Sequence, residues 1–255
     1  VRGESMAPPR PKLPSLFPKP PPPGGGNAPS QKRFSAARLV QVHGQLARTK
    51  TVSLKTQDAV VEALRTVAEV FAWGDAHDPA IFEAFLEHGM LDTVAGFVTQ
   101  GRTTSGKAVT VQALQTLSIM IENVTNHGAA VYLLSSGHVA DLCRLRVDWV
   151  DEEVLCNYVA LLKAVALKLD PMTVHFFLAD DGGCPLHAAA ARLAAHDDNM
   201  VVSAVRTITL CIYGIDDAQV RTHVLGSAPG GLWRAVAGQL ARHAARLGGR
   251  AREAA

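Results

Sequence analysis

No two cysteines in this 255-residue chain form a Cys-x-x-Cys pair. The four present, Cys143, Cys156, Cys184 and Cys211, are spaced by 13, 28 and 27 residues among apolar neighbours. That spacing excludes a zinc ribbon and predicts buried, reduced thiols rather than a disulfide framework. The chain also has no uncharged apolar run of about 18 residues and no apolar segment near its N-terminus, so neither a membrane span nor a secretory leader is expected and the sequence reads as cytoplasmic. Ten histidines include no His-x-x-x-His or His-Glu-x-x-His spacing, and no metal or cofactor is expected. Strand-like alternation is nearly absent. The chain opens on Val1 rather than Met, with Met6 close behind, so either a fragment or an uncertain gene boundary is expected.

No strong excess of one charge marks the body of the chain. Residues 1–33 hold 10 of the 14 prolines, a Gly24-Gly25-Gly26 run and six Lys or Arg against one acid. They cannot build a core and read as a disordered basic leader, suited to serve as a polyproline ligand for modules of the SH3 or WW kind. The rest carries 19 basic and 22 acidic residues, which argues against nucleic acid as a partner.

From Phe34 onward, apolar residues recur at intervals of three and four, as in Val60, Val61, Leu64, Val67 and Phe71, the period of an amphipathic helix. Breakers such as Gly74, Gly89, Gly106, Gly137, Pro171 and Gly214 divide the chain into helices of about 10 to 20 residues. Asp151, followed by Glu152 and Glu153, is a helix start.

These helices repeat. Segments beginning at Ala63, Ala113, Ala160 and Ala204 share an Ala-Leu/Val-x-Thr/Lys-apolar pattern at intervals of 50, 47 and 44 residues. A second anchor follows each (Phe85-Leu86, Leu133-Leu134, Phe177-Leu178, Val224-Leu225), and third helices begin near Met90, His138, Pro185 and Gly231. The expected fold is therefore all-α, an armadillo/HEAT-like α-solenoid of about four three-helix repeats over residues 34–247, with helix 35–48 capping the first unit and residues 248–255 a disordered tail. Leu114, Leu161, Phe177 and Ile208 are expected in the core.

Gly101 to Lys107 satisfies the Gly-x4-Gly-Lys of a phosphate loop, but Ala108 stands where a magnesium-binding hydroxyl is needed and residues 91–100 read as helix where the loop needs a strand. A polar link between repeats explains it as well. His175 lies in an apolar helix and is expected in the core. Asp180-Asp181 and Asp216-Asp217, beside glycines, read as caps or links. The third helices carry Arg144 and Arg146, then Arg192, then Arg234 and Arg242, a candidate basic stripe for carboxylate or phosphate partners. The last helix, 231–247, with Leu232, Val236 and Leu240 opposite arginines, suits either a final repeat or a membrane surface. No residue reads as catalytic, and no small-molecule substrate is expected.

Seven stretches, in order, resemble the FPL domain of the family that includes C-type lectin domain family 16 member A, endosomal maturation defective and transparent testa nine. They are Phe71-Ala-Trp-Gly-Asp75, Leu114-Gln-Thr-Leu-Ser-Ile-Met-Ile-Glu-Asn123, Tyr132-Leu-Leu-Ser-Ser136, Asp151-Glu-Glu153, Leu167-Lys-Leu-Asp170, Thr173-Val-His-Phe-Phe177 and Val205-Arg-Thr-Ile-Thr-Leu210. The resemblance implies a non-enzymatic scaffold in the cytoplasm, peripheral on endosomal, Golgi-derived and autophagic membranes. Its implied partners are trafficking, autophagy or ubiquitin-ligase proteins. A generic armadillo scaffold of another pathway is the alternative, and a nucleotide-binding protein using residues 101–107 a further one. Family members are longer than this chain, and neither the leader nor the segment after Gly226 resembles them.

Overall fold

The computed structural model describes residues 33–49, 51–100, 106–145, 151–178 and 183–227, together with 237, 238 and 241. Most of the expected leader, residues 146–150 and 179–182, and nearly all of the expected last helix lie outside the described residues. Among the described residues the chain is all-helical, with no strand.

Helix α1 (Ala36–Arg48) starts where the Ser35 side chain accepts from Arg38 N, and it buries Leu39, Val42 and Leu46 at helical spacing. Helix α2 (Gln57–His77) is the longest, with Val60, Leu64, Val67 and Phe71 on its inner face. Asp78 ends α2 and caps α3 (Pro79–Glu87), accepting from Ala80 N ahead of Pro79 in the first turn. Gly89 then turns the chain at φ +57°, a conformation that favours glycine, into α4 (Met90–Gln100).

Helix α5 (Lys107–Asn123) is buried almost all round, including the polar Gln112, Thr116 and Ser118. Burying a hydroxyl costs free energy unless it is bonded, and of the three buried on this helix Thr110 Oγ1 has no partner while the other two do. Thr116 Oγ1 donates to Leu64 O of α2 at 3.0 Å, and Ser118 Oγ donates to Leu114 O at 2.9 Å. Then come α6 (His127–Ser135), α7 (His138–Arg144) and α8 (Glu152–Lys168). Asp151 caps α8 by accepting from Val154 N, with Glu152 and Glu153 in the first turn as expected.

At the third of the second anchors the expected helix is replaced by a single 3-10 turn, Thr173–Phe177. The cause is local: Asp170 Oδ1 accepts from Met172 N, Thr173 N and Thr173 Oγ1, spending its carboxylate on a tight turn after Pro171. Helices α9 (Pro185–Leu193), α10 (Asn199–Tyr213) and α11 (Ala218–Ser227) complete the described chain.

The long helices pack in chain order, α2 on α5, α5 on α8 and α8 on α10. The third helices do the same, α4 on α7 and α7 on α9, and α6 packs on the 3-10 turn. One continuous apolar cluster runs through all of them, with Leu114, Leu161 and Phe177 each 1% exposed and Ile208 fully buried, as expected.

Candidate partner-binding surface

Of the five arginines singled out in the sequence, Arg144 and Arg192 fall among the described residues, and both lie at the C-terminal end of α7. Arg146, Arg234 and Arg242 lie outside them. Arg144 Nη1 donates to Asp141 Oδ1 at 2.7 Å one turn back, an exposed pair. Arg192, from α9, sends Nη2 to Cys143 O at 3.1 Å and Leu145 O at 3.4 Å. The last carbonyls of a helix lack intrahelical donors and carry partial negative charge, so a cation is well placed there. Tyr158, buried on α8, reaches the same carbonyls: its hydroxyl lies 3.2 Å from Leu142 O and 3.1 Å from Cys143 O. Arg192 is thus partly engaged in closing α7. Beneath it the Cys143 thiol is pushed up by burial, with Cys184 adding to the effect, so it stays protonated.

Lys107, the lysine of the loop-like motif, is held by two carboxylates from the start of α8, Asp151 Oδ1 at 3.0 Å and Glu153 Oε2 at 3.1 Å. Hydrogen bonding to Asp151 and then Glu153 raises the lysine, and the Lys107 bond holds Asp151 below the usual carboxylate range. Residues 101–105 lie outside the described residues. Residues 90–100 are helical, as expected.

The C-terminal ends of α2, α5 and α8 meet in a polar seam. Asp75 Oδ2 accepts from Thr125 N and Thr125 Oγ1, both at 2.6 Å, and from Asn126 N at 3.1 Å, and Asn126 in turn caps α6. Lys168 Nζ donates to Val124 O at 2.7 Å. Burial lowers Lys168 and raises Glu122 beside it.

His175 is not a core residue. It sits exposed on the 3-10 turn, with Nδ1 3.2 Å from Gln219 Oε1 and Nε2 3.3 Å from Asp217 Oδ2. Asp217 caps α11, accepting from Gln219 N and Val220 N, as expected of that acid pair; Asp180 and Asp181 lie outside the described residues. Among the described residues the buried histidines are His187 and His223, 7% and 8% exposed, joined Nδ1 to Nε2 at 3.4 Å, with Tyr213 OH 3.1 Å from His187 Nε2. They are 36 residues apart in the chain, and no spacing rule could have paired them.

Two of the long helices also present exposed side chains: Glu62 and Glu69, with the half-buried Trp73, on α2, and Arg206 and Leu210, the latter 71% exposed, on α10. Among the described residues, no three His, Cys, Asp or Glu side chains group so that they could hold a metal ion, and no helix is long and apolar enough to cross a membrane.

The family model FPL, described as "Uncharacterised conserved protein", matches residues 64–213. Among curated relatives, Protein CLEC16A homolog of Drosophila melanogaster is 37% identical over 196 residues, covering 76% of this chain and 18% of the relative. Protein TRANSPARENT TESTA 9 of Arabidopsis thaliana is 36% identical over 197 residues, covering 76% and 23%. Protein CLEC16A of Mus musculus is 35% identical over 205 residues, covering 79% and 20%. The chain spans about a fifth of the length of the curated relatives it matches.

Proposed function

The chain belongs to the FPL family, and on that premise we propose that it is a non-enzymatic adaptor in endosomal–lysosomal or Golgi-derived membrane traffic and autophagy, binding partner proteins on the surface of an armadillo-like stack of about four three-helix units. The observation that carries the reading is the coincidence of the family match, residues 64–213, with the span over which long helices pack on long helices and third helices on third helices in chain order. A unit of this size cannot bury its apolar face alone, and stacking supplies the missing partner on each side. Extended surfaces of this kind suit the holding of proteins, and the arginines at the end of α7 offer forks for carboxylates. Association with membranes is peripheral in this reading.

Proximity labelling in cells with the full chain as bait tests it. The expected result is recovery of endosomal tethering, autophagy or ubiquitin-ligase proteins, reduced by Arg144→Glu/Arg192→Glu/Arg234→Glu in a variant that melts like wild type. Recovery of none of these classes overturns the pathway assignment, and recovery unchanged by the triple reversal removes the arginines from the binding surface.

A further inference from the structure

Arg33 and Phe34, which open the described chain, are folded back onto α2. The Arg33 guanidinium donates to Glu69 Oε2 at 3.1 Å and lies 5.3 Å above the Phe34 ring. Phe34 stacks on Trp73 with ring centroids 5.5 Å apart and planes inclined by 17°. Trp73 also stacks with His77 at 4.7 Å and 10°, and His77 Nδ1 lies 2.7 Å from Trp73 O, which fixes the platform. Glu69, Trp73 and His77 recur every four residues, so the carboxylate and the aromatic platform share one face of α2. The start of α1 does not need this contact, because Ser35 caps the helix and Leu39, Val42 and Leu46 bury it.

We propose that Glu69 and Trp73 form a recognition site for a basic residue followed directly by an aromatic one, filled in cis by Arg33-Phe34 and open to the same pair of residues in a partner chain. The inference rests on the protein-binding reading above and adds to it the chemistry of the partner segment. The carboxylate pairs with the guanidinium, the guanidinium lies over the Phe34 ring, and that ring stacks on the indole, so the four groups form one unbroken run of contacts. The Arg33 and Glu69 side chains are 68% and 44% exposed, so water screens the ion pair and the contact is weak enough to exchange. A segment tethered this closely sits at an effective concentration on the order of millimolar, so the chain's own pair outcompetes a free peptide at micromolar concentration. Access in trans therefore requires the cis pair to leave, or a partner that gains further contacts along the long helices.

The test uses the full chain and a fluorescein-labelled peptide with the sequence of residues 28–37, followed by fluorescence polarisation. Arg33→Ala/Phe34→Ala is expected to bind the peptide at least about tenfold more tightly than wild type, as removal of a tethered competitor requires. Adding Glu69→Lys or Trp73→Ala should abolish that gain in variants that melt with the parent, and a peptide with the Arg-Phe pair changed to Ala-Ala should not bind. Equal binding by wild type and the open variant, binding that survives both site substitutions, or no binding to the open variant overturns the site. None of these outcomes alters what proximity labelling recovers in cells, so failure of the site is distinct from failure of the scaffold reading.

Discussion

Ile81 of α3 occupies the space that a side chain on Gly74 of α2 would need: a Cβ there would lie 2.6 Å from Ile81 Cγ2 and 2.7 Å from Ile81 Cβ. Gly74 is itself buried within α2, next to the turn at Asp78 that sends the chain into α3. Two helices joined by a single residue approach this closely only if one of them has no side chain at the contact.

Alanine at position 74 should gain about 1 kcal/mol in helix propensity and lose about 1–3 kcal/mol to overpacking. Because the near atoms include Ile81 Cβ, the helices themselves must separate, and the overpacking term wins. Gly74→Ala should lower stability in urea denaturation. The loss should persist in an Ile81→Ala background, which keeps the offending Cβ; relief there would mean that the longer branches alone set the clash.

Asp75, the next residue, holds the link between α5 and α6 through Thr125 and Asn126. Asp75→Ala leaves those donors to water and should cost about 1–2 kcal/mol. Hydrogen exchange should quicken first at the start of α6. Unchanged protection there would assign the anchoring to Lys168 and Val124 instead.

Burial, reinforced by His223, holds His187 below its ordinary value. The folded protein therefore takes up this proton less readily than the unfolded chain. Above about pH 6.5 both states are neutral at this site, and as pH falls below that value the unfolded chain protonates first, so stability is lost. Burial acts on His43 in the same direction, with His88 adding to it. Urea midpoints should fall between about pH 7 and pH 5.5, and His187→Gln should flatten part of that slope, with His43 contributing in the same direction. An unaltered slope in His187→Gln would move the titration elsewhere.

Lys107 bridges the starts of α5 and α8 in solvent. Lys107→Ala should produce a small loss of stability that disappears at high salt, as expected of exposed pairs. A large, salt-insensitive loss would show that the lysine supports something besides Asp151 and Glu153.

Much of the helical layout was legible in the sequence, because it is written in local periodicity and local caps. Leu114, Leu161, Phe177 and Ile208 lie in the core, Asp151 starts α8, and third helices begin at Met90, His138 and Pro185. His175 was misplaced because its apolar neighbours suggested a buried helix, whereas Asp170 draws the segment into a short turn that leaves the ring in water. Pairings across the chain left no local trace. Lys107 with Asp151, Arg192 with Cys143 O, and His187 with His223 each depend on which helix packs on which, a consequence of the whole hydrophobic cluster rather than of any spacing. The Arg33-Phe34 contact with Glu69 and Trp73 was hidden for the same reason.

The long helices make their principal contacts in chain order, α2 to α5 to α8 to α10, so a pull between the two ends passes through each seam in turn. Elements loaded in series add their extensions, and a few degrees of tilt at each seam sum to a displacement that no single seam would tolerate. Thr116 bonded to Leu64 O inside the first seam stiffens it against sliding. A displacement imposed on the row is therefore shared among its seams rather than borne at one of them.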